Sequence, residues 1–281
     1  MSSRNYQINM RRGRAPYSRA KRFLLIFAVL LIIGGLAGAW LYSQINGCDG
    51  GAGAGQQESP SGGAASLSLA DVPPYSGQPA TELNGNHPYF EVDITNKPGR
   101  SLSELFSSNT KEPIESYETY GDLDRLGRCT AAEACLGTDL MPTEERRSIQ
   151  NVRPTGWHTI KYDIIEERYL YNRCHLIAFI LAGENDNERN LITGTRYLNT
   201  QGMEPYELEV MSYLYRTGNH VQYRITPVFE GDNLLASGVL MEAYSLEDKG
   251  KGVCFCVYCY NVQPGIEIDY ATGESRSRPE S

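Results

Sequence analysis

A short segment in the middle of the chain carries residue types that can hydrolyse a phosphodiester. It runs from Tyr171 to Ala178 (YNRCHLIA), and Asn199 follows 24 residues after His175. A histidine with its unperturbed pKa of about 6.5 is largely neutral at ordinary pH and can accept a proton from water. The amide oxygen of Asn199 suits one divalent metal, and the guanidinium of Arg173 can neutralise charge on a phosphate.

The segment before His175 is predicted to be a strand, residues 167–175. Alternate residues of a strand project to the same face, so Arg173 and His175 would point to one side of it. In the functional interpretation His175 acts on water while Arg173 pairs with the phosphate. The alternative, a half-buried structural histidine beside a surface arginine, stays open at this point.

Polar residues downstream of Asn199 are candidates for the same site. Mg²⁺ keeps several of its waters and uses few protein ligands, so one asparagine can suffice. Glu207 lies eight residues after Asn199, which on a continuous helix is two turns on and roughly 80° round. Pro205 intervenes and favours a helix start or a kink. Asn199 as a helix cap and Glu207 as a solvated side chain remain open, and Arg196 is a weak candidate for substrate contact.

The elements that must position these residues are predicted from periodicity and turn signals. Residues 203–216 have helical spacing of apolar side chains, with Gly218 just past the end. Three later segments are predicted strands, residues 221–229, 233–244 and 253–262, whereas residues 130–136 are a short helical candidate and residues 183–190 a solvated turn. Strands around a central helix favour an α+β fold with a mainly antiparallel sheet.

The first 66 residues are predicted to lie outside this fold. Residues 1–22 carry seven basic and no acidic side chains, residues 23–42 are 20 uncharged residues, and residues 43–66 are a linker rich in Gly, Ala and Ser. An apolar run of this length can cross a hydrocarbon core of about 30 Å. The basic flank predicts a cytoplasmic N-terminus and an extracellular domain at 67–281. A cleaved signal peptide, or lipidation at Cys48, is the less favoured alternative.

The charge of the extracellular part argues against a high-affinity binder of nucleic acid. The chain has 26 basic and 34 acidic residues, so removing the seven basic residues of the tail leaves 19 against 34, a balance of −15. Such a surface repels a polyanion. The argument is weaker for an enzyme whose few substrate contacts are local and assisted by a metal.

Seven cysteines allow disulfides in an extracellular domain. Cys129 and Cys135 flank a short segment and could form one. Cys254, Cys256 and Cys259 are closely spaced, but a zinc site would need a second ligand pair, and no such pair is evident. Disulfides or buried thiols are therefore favoured over a metal or redox role.

The sequence resembles the DNA/RNA non-specific endonucleases of the ββα-metal (His-Me finger) class, of the membrane-anchored DNA-entry type. The family box Asp-Arg-Gly-His reads Asn172-Arg173-Cys174-His175 here, and the resemblance continues through residues 190–196, Asn199 and Glu207. It implies a central antiparallel sheet flanked by helices, with the histidine on a β-hairpin and the asparagine on the following helix. Because cysteine replaces glycine at 174, the backbone there should not need a conformation reserved for glycine.

The resemblance also implies roles for the candidate residues. His175 would be the general base, Asn199 the ligand of Mg²⁺ (with Mn²⁺ as a possible substitute), and Glu207 the holder of a water bound to the metal. Arg173 would contact the phosphate of a DNA or RNA substrate. Backbone recognition would make cleavage independent of base sequence. Two alternatives remain: a non-catalytic surface binding module on a degenerate nuclease fold, and a thiol or metal protein built on the late cysteines.

Overall fold

The computed structural model describes residue 67 and residues 69–92 and 114–278, and these build an antiparallel sheet with a separate β-hairpin and one long helix. The main sheet has six strands in the order β1-β8-β7-β6-β3-β2. Their bounds are β1 Ala80–Glu82, β2 Tyr117–Tyr120, β3 Ala132–Leu136, β6 Val221–Val228, β7 Gly238–Ser245 and β8 Cys254–Tyr260. β4 (Tyr171–His175) pairs with β5 (Leu191–Thr195), and β9 (Ile266–Ile268) pairs with β10 (Ser275–Ser277).

The helices lie between the strands in the chain. A short helix α1 (Phe179–Ala182) follows β4, and a π-helix (Leu198–Met203) after β5 leads directly into the long helix α2 (Glu204–Thr217). Three 3₁₀ turns complete the set, at Leu69–Asp71, Asn84–Asn86 and Glu188–Asn190.

The main core forms between the sheet and α2. On β6, the alternate residues Val221, Tyr223 and Ile225 are fully buried, and they share one apolar cluster with Val210 and Leu214 of α2. This is the period of two expected for a strand that covers a core with one face. A second cluster, which includes residues of β7 and β8, covers the opposite side of the sheet, so these two strands are buried almost throughout.

A buried asparagine fastens the hairpin to the main sheet. The side chain of Asn261, which is fully buried, accepts a hydrogen bond from the Thr195 N–H at 2.9 Å. It also donates to the carbonyls of Thr193 at 3.2 Å and Ala236 at 2.9 Å. One amide therefore satisfies three backbone groups from two separate parts of the fold, which sets where the hairpin lies.

Most of the predicted elements are confirmed. The helix predicted at 203–216 is α2, and the three later strands are β6, β7 and β8, with β7 starting five residues later than predicted. The helical prediction for residues 130–136 is wrong, because Ala132–Leu136 is β3. Its alternate residues Ala132, Ala134 and Leu136 are fully buried as it pairs with β6, so tertiary pairing overrides local propensity.

The predictions for the N-terminal 66 residues fall outside the described part of the chain and stay predictions. Within the described residues, the structure contains no helix that is long and apolar enough to span a bilayer. The pairing suggested for Cys129 and Cys135 is wrong, since both are buried and neither forms a disulfide. Cys254 is disulfide-bonded and Cys256 and Cys259 are buried thiols, so among the described residues these three do not form the zinc site that was considered.

Candidate active site

The site is built on β4, β5 and the helix that follows them. The register pairs Cys174 with Ile192 and His175 with Leu191, so His175 is the last residue of β4. The hairpin followed by a helix is the arrangement that the family resemblance predicts, and it is confirmed. Cys174 does not have a positive φ, as expected, and its thiol fills the space left by Gly194, where a Cβ would lie 2.4 Å from the sulfur.

The imidazole of His175 is held in its neutral form. Its side chain is only 6% exposed, and Nε2 lies 2.8 Å from the Asn185 carbonyl oxygen. A carbonyl oxygen only accepts, so Nε2 carries the hydrogen and Nδ1 keeps its lone pair. Burial, helped by the positive charge of Arg146, lowers the pKa of His175 to about 4 although the bond to Asn185 opposes this. The imidazole is therefore uncharged across the physiological range, as a general base must be.

Asn185 is a functional residue that sequence reasoning missed. The polar composition of residues 183–190 predicts a solvated turn, but Asn185 is only 6% exposed. Its carbonyl holds His175, and its side-chain oxygen accepts a hydrogen bond from the Arg147 N–H at 3.1 Å. Asn185 thereby links the loop around Arg147 to the base. Nothing in the spacing of residues 183–190 distinguished this asparagine from its polar neighbours.

Arg146 is the second residue that the sequence did not reveal. Its Nη2 lies 3.4 Å from Nδ1 of His175, the nitrogen that would accept a proton. The charge of Arg146 also acts to lower the pKa of Glu207 and of Cys174, so its guanidinium lies within electrostatic reach of all three groups. Arg146 therefore joins the hairpin side of the site to the helix side.

Arg173 is occupied by structural contacts. Its Nε donates to the Val152 carbonyl and its Nη2 to the Gln150 carbonyl at 2.9 Å. The guanidinium also lies 4.0 Å from the ring centre of Trp157, a cation–π contact. These bonds tie the loop at 150–157 to β4. In the described residues, Arg146 rather than Arg173 is the arginine in contact with His175.

Asn199 and Glu207 lie on one helix that contains a π turn. The π-helix uses a hydrogen bond from residue i+5 to i, here from the Glu204 N–H to the Asn199 carbonyl, and it takes up one residue more than an α-helix. The eight residues from Asn199 to Glu207 then correspond to about seven α-helical steps, roughly 700°, so the two side chains lie within about 20° of the same face. The offset of roughly 80° expected from a continuous α-helix is largely removed.

Pro205 explains the position of this π turn. It occupies the first turn of α2, where a missing N–H costs least. The interpretation of Pro205 as a helix start is confirmed, and the backbone remains helical on both sides of it. π turns of this kind are frequent at functional sites.

The carboxyl group of Glu207 is poorly solvated. Burial, together with the charge of Glu204, raises the pKa of Glu207 to about 8, although Arg146 opposes the shift. Asn199 is half-buried, and within the described chain its side chain makes no hydrogen bond. The amide is therefore available as a ligand, and Glu207 is half-buried.

Arg196 lies away from this group. It follows Thr195, which pairs with Tyr171 at the end of the hairpin opposite to His175. Its guanidinium forms an ion pair with Glu167 at 3.2 Å. The structure thus places Arg146 against His175 and within electrostatic reach of Glu207, but it does not place Arg196 with them.

The donor set suits a hard cation with few protein ligands. Over residues 67, 69–92 and 114–278, no group of three or more His, Cys, Asp and Glu side chains could hold a metal. This excludes a closed structural zinc site in the described part, because such a site needs four protein ligands. A free amide oxygen and a nearby carboxylate on one helix face fit an ion such as Mg²⁺, which retains most of its waters.

The depressed pKa of His175 predicts a specific dependence of stability on pH. The folded protein holds the neutral imidazole, with a pKa of about 4 against about 6.5 in the unfolded chain. The contribution of the neutral imidazole to the free energy of unfolding is complete above about pH 6.5 and is lost progressively as the pH falls to about 4. It amounts to about 3 kcal/mol. Denaturant unfolding of wild type and His175→Gln at pH 4 and pH 7 should show this difference. Parallel pH curves for the two proteins would contradict it.

The β-hairpin with a buried neutral histidine, followed by a helix with asparagine and glutamate on one face, defines a ββα-metal nuclease. Residues 108–246 match the sequence model of the DNA/RNA non-specific endonuclease family. The chain carries a domain of that family, and its enzyme class is that of a metal-dependent DNA/RNA non-specific endonuclease.

Solved structures with a similar fold include NucA from Streptococcus agalactiae. The metal-free form has 24% identity and a TM-score of 0.59, and the match covers 75% of this chain and 92% of NucA. The form with bound magnesium has 22% identity and a TM-score of 0.57, over 72% and 93% of the two chains. Sda1 nuclease with bound zinc has 27% identity and a TM-score of 0.51, over 67% and 93%. At these identities the NucA matches establish the fold.

Proposed function

We propose that the protein is a membrane-tethered, extracellular endonuclease that cuts DNA, and also RNA, without base specificity. His175 is its general base, and Asn199 holds one Mg²⁺, which Mn²⁺ can replace. The observation that carries the proposal is the environment of His175, a buried neutral imidazole whose Nε2 hydrogen is fixed by the Asn185 carbonyl. The location rests on residues 23–42 of the sequence, an uncharged run long enough to cross a bilayer.

The arrangement assigns each group one task. Nδ1 of His175 takes the proton from the attacking water, because it is the ring nitrogen that keeps a lone pair. Asn199 would hold the divalent ion, which when bound would supply Lewis-acid stabilisation of the phosphate and of the leaving 3′ oxygen. Glu207 would be placed to accept a hydrogen bond from a water beside the ion. In-line displacement of the 3′ oxygen leaves a 5′-phosphate end.

Arg146 is proposed to be the residue that meets the scissile phosphate. In the substrate-free protein its guanidinium lies against the base nitrogen of His175. An arriving phosphate is a far stronger acceptor for a guanidinium than an imidazole nitrogen is. Transfer of Arg146 to the phosphate would free Nδ1 for the water. The side chain would then stabilise the charge that develops as the bond to the leaving oxygen breaks.

The relative roles of the two arginines can be separated by mutation. Arg146→Ala is expected to lower kcat about 10²-fold with little change in stability, since Arg146 lies in an exposed loop. Arg173→Ala is expected to lower the unfolding free energy by about 2 kcal/mol, because it removes two hydrogen bonds and the Trp157 contact. Steady-state kinetics and denaturant unfolding of both variants check this. A larger loss of kcat at Arg173 in a stable protein would restore the sequence-based assignment.

Metal removal tests the proposed function directly. Purified full-length protein is incubated with supercoiled plasmid and with a structured RNA in Mg²⁺, in Mn²⁺ and in excess EDTA. Nicking is expected with either ion, no cleavage in EDTA, and full recovery when Mg²⁺ is added back. Absence of cleavage by well-folded protein at low salt in both ions would reject the nuclease. The remaining explanation would then be a non-catalytic binding module, which the balance of −15 in the sequence favours.

A further inference from the structure

The arginine beside His175 lies on a loop with few attachments to the rest of the protein. Residues 137–170 of the described chain form no helix or strand, and Arg146 is exposed within this stretch. Among the described residues, the Arg147 N–H is the one backbone group of residues 143–148 that bonds to another part of the fold. The position of the Arg146 guanidinium therefore depends strongly on that one bond.

A cavity lies between this loop and the short helix α1. It has a volume of about 290 Å³ and is lined by residues 139–145 and Arg147, and by Phe179 and residues 182–185. Where the cavity lies, packing cannot hold the loop, because there are no atoms on the other side for it to contact. A polar contact at the edge of the cavity must hold the loop instead.

Asn185 makes that contact and also bonds to His175. Its side-chain oxygen Oδ1 accepts a hydrogen bond from the Arg147 N–H at 3.1 Å, and its main-chain carbonyl accepts one from Nε2 of His175 at 2.8 Å. Arg147 adjoins Arg146, whose Nη2 lies 3.4 Å from Nδ1 of the same ring. Asn185 is thus linked to one ring nitrogen directly and, through the loop, to the guanidinium at the other.

The turn that places Asn185 needs a glycine. Gly183 ends α1 with a φ of 69°, in the left-handed region, and its N–H bonds to the Phe179 carbonyl. A Cβ at this position would lie 3.4 Å from the Leu140 carbonyl oxygen and from Cα of Pro142. The end of α1 therefore lies close to the start of the loop, which brings Asn185 between the loop and the hairpin.

We propose that Asn185 is a positioning residue, whose side-chain oxygen holds the loop so that the guanidinium of Arg146 stays beside His175, ready to meet the scissile phosphate. The inference rests on the proposed function, because it concerns the place of Arg146 in that reaction. The carbonyl of Asn185 orients the imidazole and its side chain orients the arginine, so one residue sets the distance between the two groups. Asn185 acts through them and touches neither substrate nor metal.

The kinetic test is Asn185→Ala in the full-length protein, which removes the side-chain acceptor and keeps the main-chain carbonyl. We expect kcat to fall about tenfold, and the same change made in Arg146→Ala to have no further effect, as expected for residues that act as one unit. Asn185→Leu keeps the side-chain volume and should show the same loss, so the test does not depend on one variant being folded. A kcat within twofold of wild type in both variants, or an equal loss with and without Arg146, overturns the proposal.

Asn187→Ala is the matched control. Asn187 lies two residues further along, and its side-chain oxygen also accepts a backbone hydrogen bond, from the Arg189 N–H at 3.0 Å. That bond closes a local turn and does not reach the loop that carries Arg146. This variant is expected to keep the kcat of wild type, which separates loss of an asparagine acceptor in general from loss of the one that holds the loop.

A measurement without substrate keeps the inference independent of activity. The positive charge of Arg146 acts to lower the pKa of His175. Once the guanidinium is no longer held beside the ring, ¹⁵N NMR of the imidazole should show this pKa rise by about half a unit in Asn185→Ala, with no further rise when Arg146→Ala is already present. An unchanged pKa overturns the inference. If the wild-type protein cuts no nucleic acid, the proposed function fails while this titration still decides whether Asn185 places Arg146.

Discussion

His175→Ala is expected to reduce kcat on plasmid DNA by about 10³-fold, in the middle of the range for loss of a general base. The reason is that His175 combines three properties in the structure. It is buried, its pKa is lowered to about 4 so that it stays neutral, and its Nε2 hydrogen is fixed by Asn185. Removal of the ring leaves the site without a group that can take the proton from water. Initial rates of nicking at saturating Mg²⁺ measure the loss.

The control for this prediction is a histidine with a structural contact. His158 lies with its Nε2 3.1 Å from the Thr272 carbonyl oxygen at an exposed position. His158→Ala is expected to retain wild-type kcat. Circular dichroism and melting curves of both variants establish that they are folded. Activity of folded His175→Ala within tenfold of wild type would show that another group activates the water.

The fall of kcat/KM at low pH should follow the protonation of His175. Because kcat/KM reports the free enzyme, it should not fall near pH 6.5, where an ordinary histidine titrates, but nearer to the lowered pKa of His175. This follows from burial of the ring, and it extends the working range of the base toward lower pH. An extracellular enzyme would retain its base in mildly acidic surroundings.

Asn199→Ala carries the second large expected effect, a loss of about 10³-fold in kcat together with weaker Mg²⁺ binding. Its amide is the candidate protein ligand, so truncation removes the contact that places the ion against the phosphate, worth several kcal/mol of charge stabilisation. Isothermal titration with Mg²⁺, and the Mg²⁺ concentration for half-maximal rate, both measure the loss. Asn199→Asp should bind the ion but cleave more slowly, because a carboxylate neutralises part of its charge.

The matched control is an asparagine near the far end of the same helix. Asn219 follows the C-cap of α2 and donates to the Tyr213 hydroxyl at 3.0 Å. Asn219→Ala is expected to leave the Mg²⁺ requirement unchanged. Mg²⁺ affinity and kcat of Asn199→Ala equal to wild type would mean that the ion is held elsewhere, with Glu207 as the next residue to test.

The acidic surface is compatible with a nuclease because the positive charge is placed locally. The balance of −15 describes all residues after the basic N-terminal segment, whereas the guanidinium of Arg146 lies beside His175. A site with few cationic contacts releases few counterions, so cleavage should depend less on salt than tight nucleic-acid binding does.

Local sequence predicted the elements that carry the chemistry. Residues 203–216 have the apolar spacing of a helix, and residues 221–229 alternate as a strand does. Both patterns are local, because they depend only on side chains a few residues apart, and both elements form as expected. The sequence predicts a helix at 130–136 because Thr130 followed by Glu133 has the spacing of a capping box, but Ala132–Leu136 is a strand. The burial of this strand comes from pairing with β6, 89 residues away in the register between Ala134 and Tyr223.

The sequence by itself pointed to His175, Asn199 and Glu207 as the candidate site residues, because they lie in one continuous hairpin-and-helix segment. Tertiary structure alone decided what surrounds them. The Asn185 carbonyl accepts a hydrogen bond from His175, and Arg146 contacts the other ring nitrogen. These contacts form only when the loops pack against the hairpin. No local spacing encodes them, since burial, hydrogen-bond partners and the resulting pKa shifts depend on distances between distant parts of the chain.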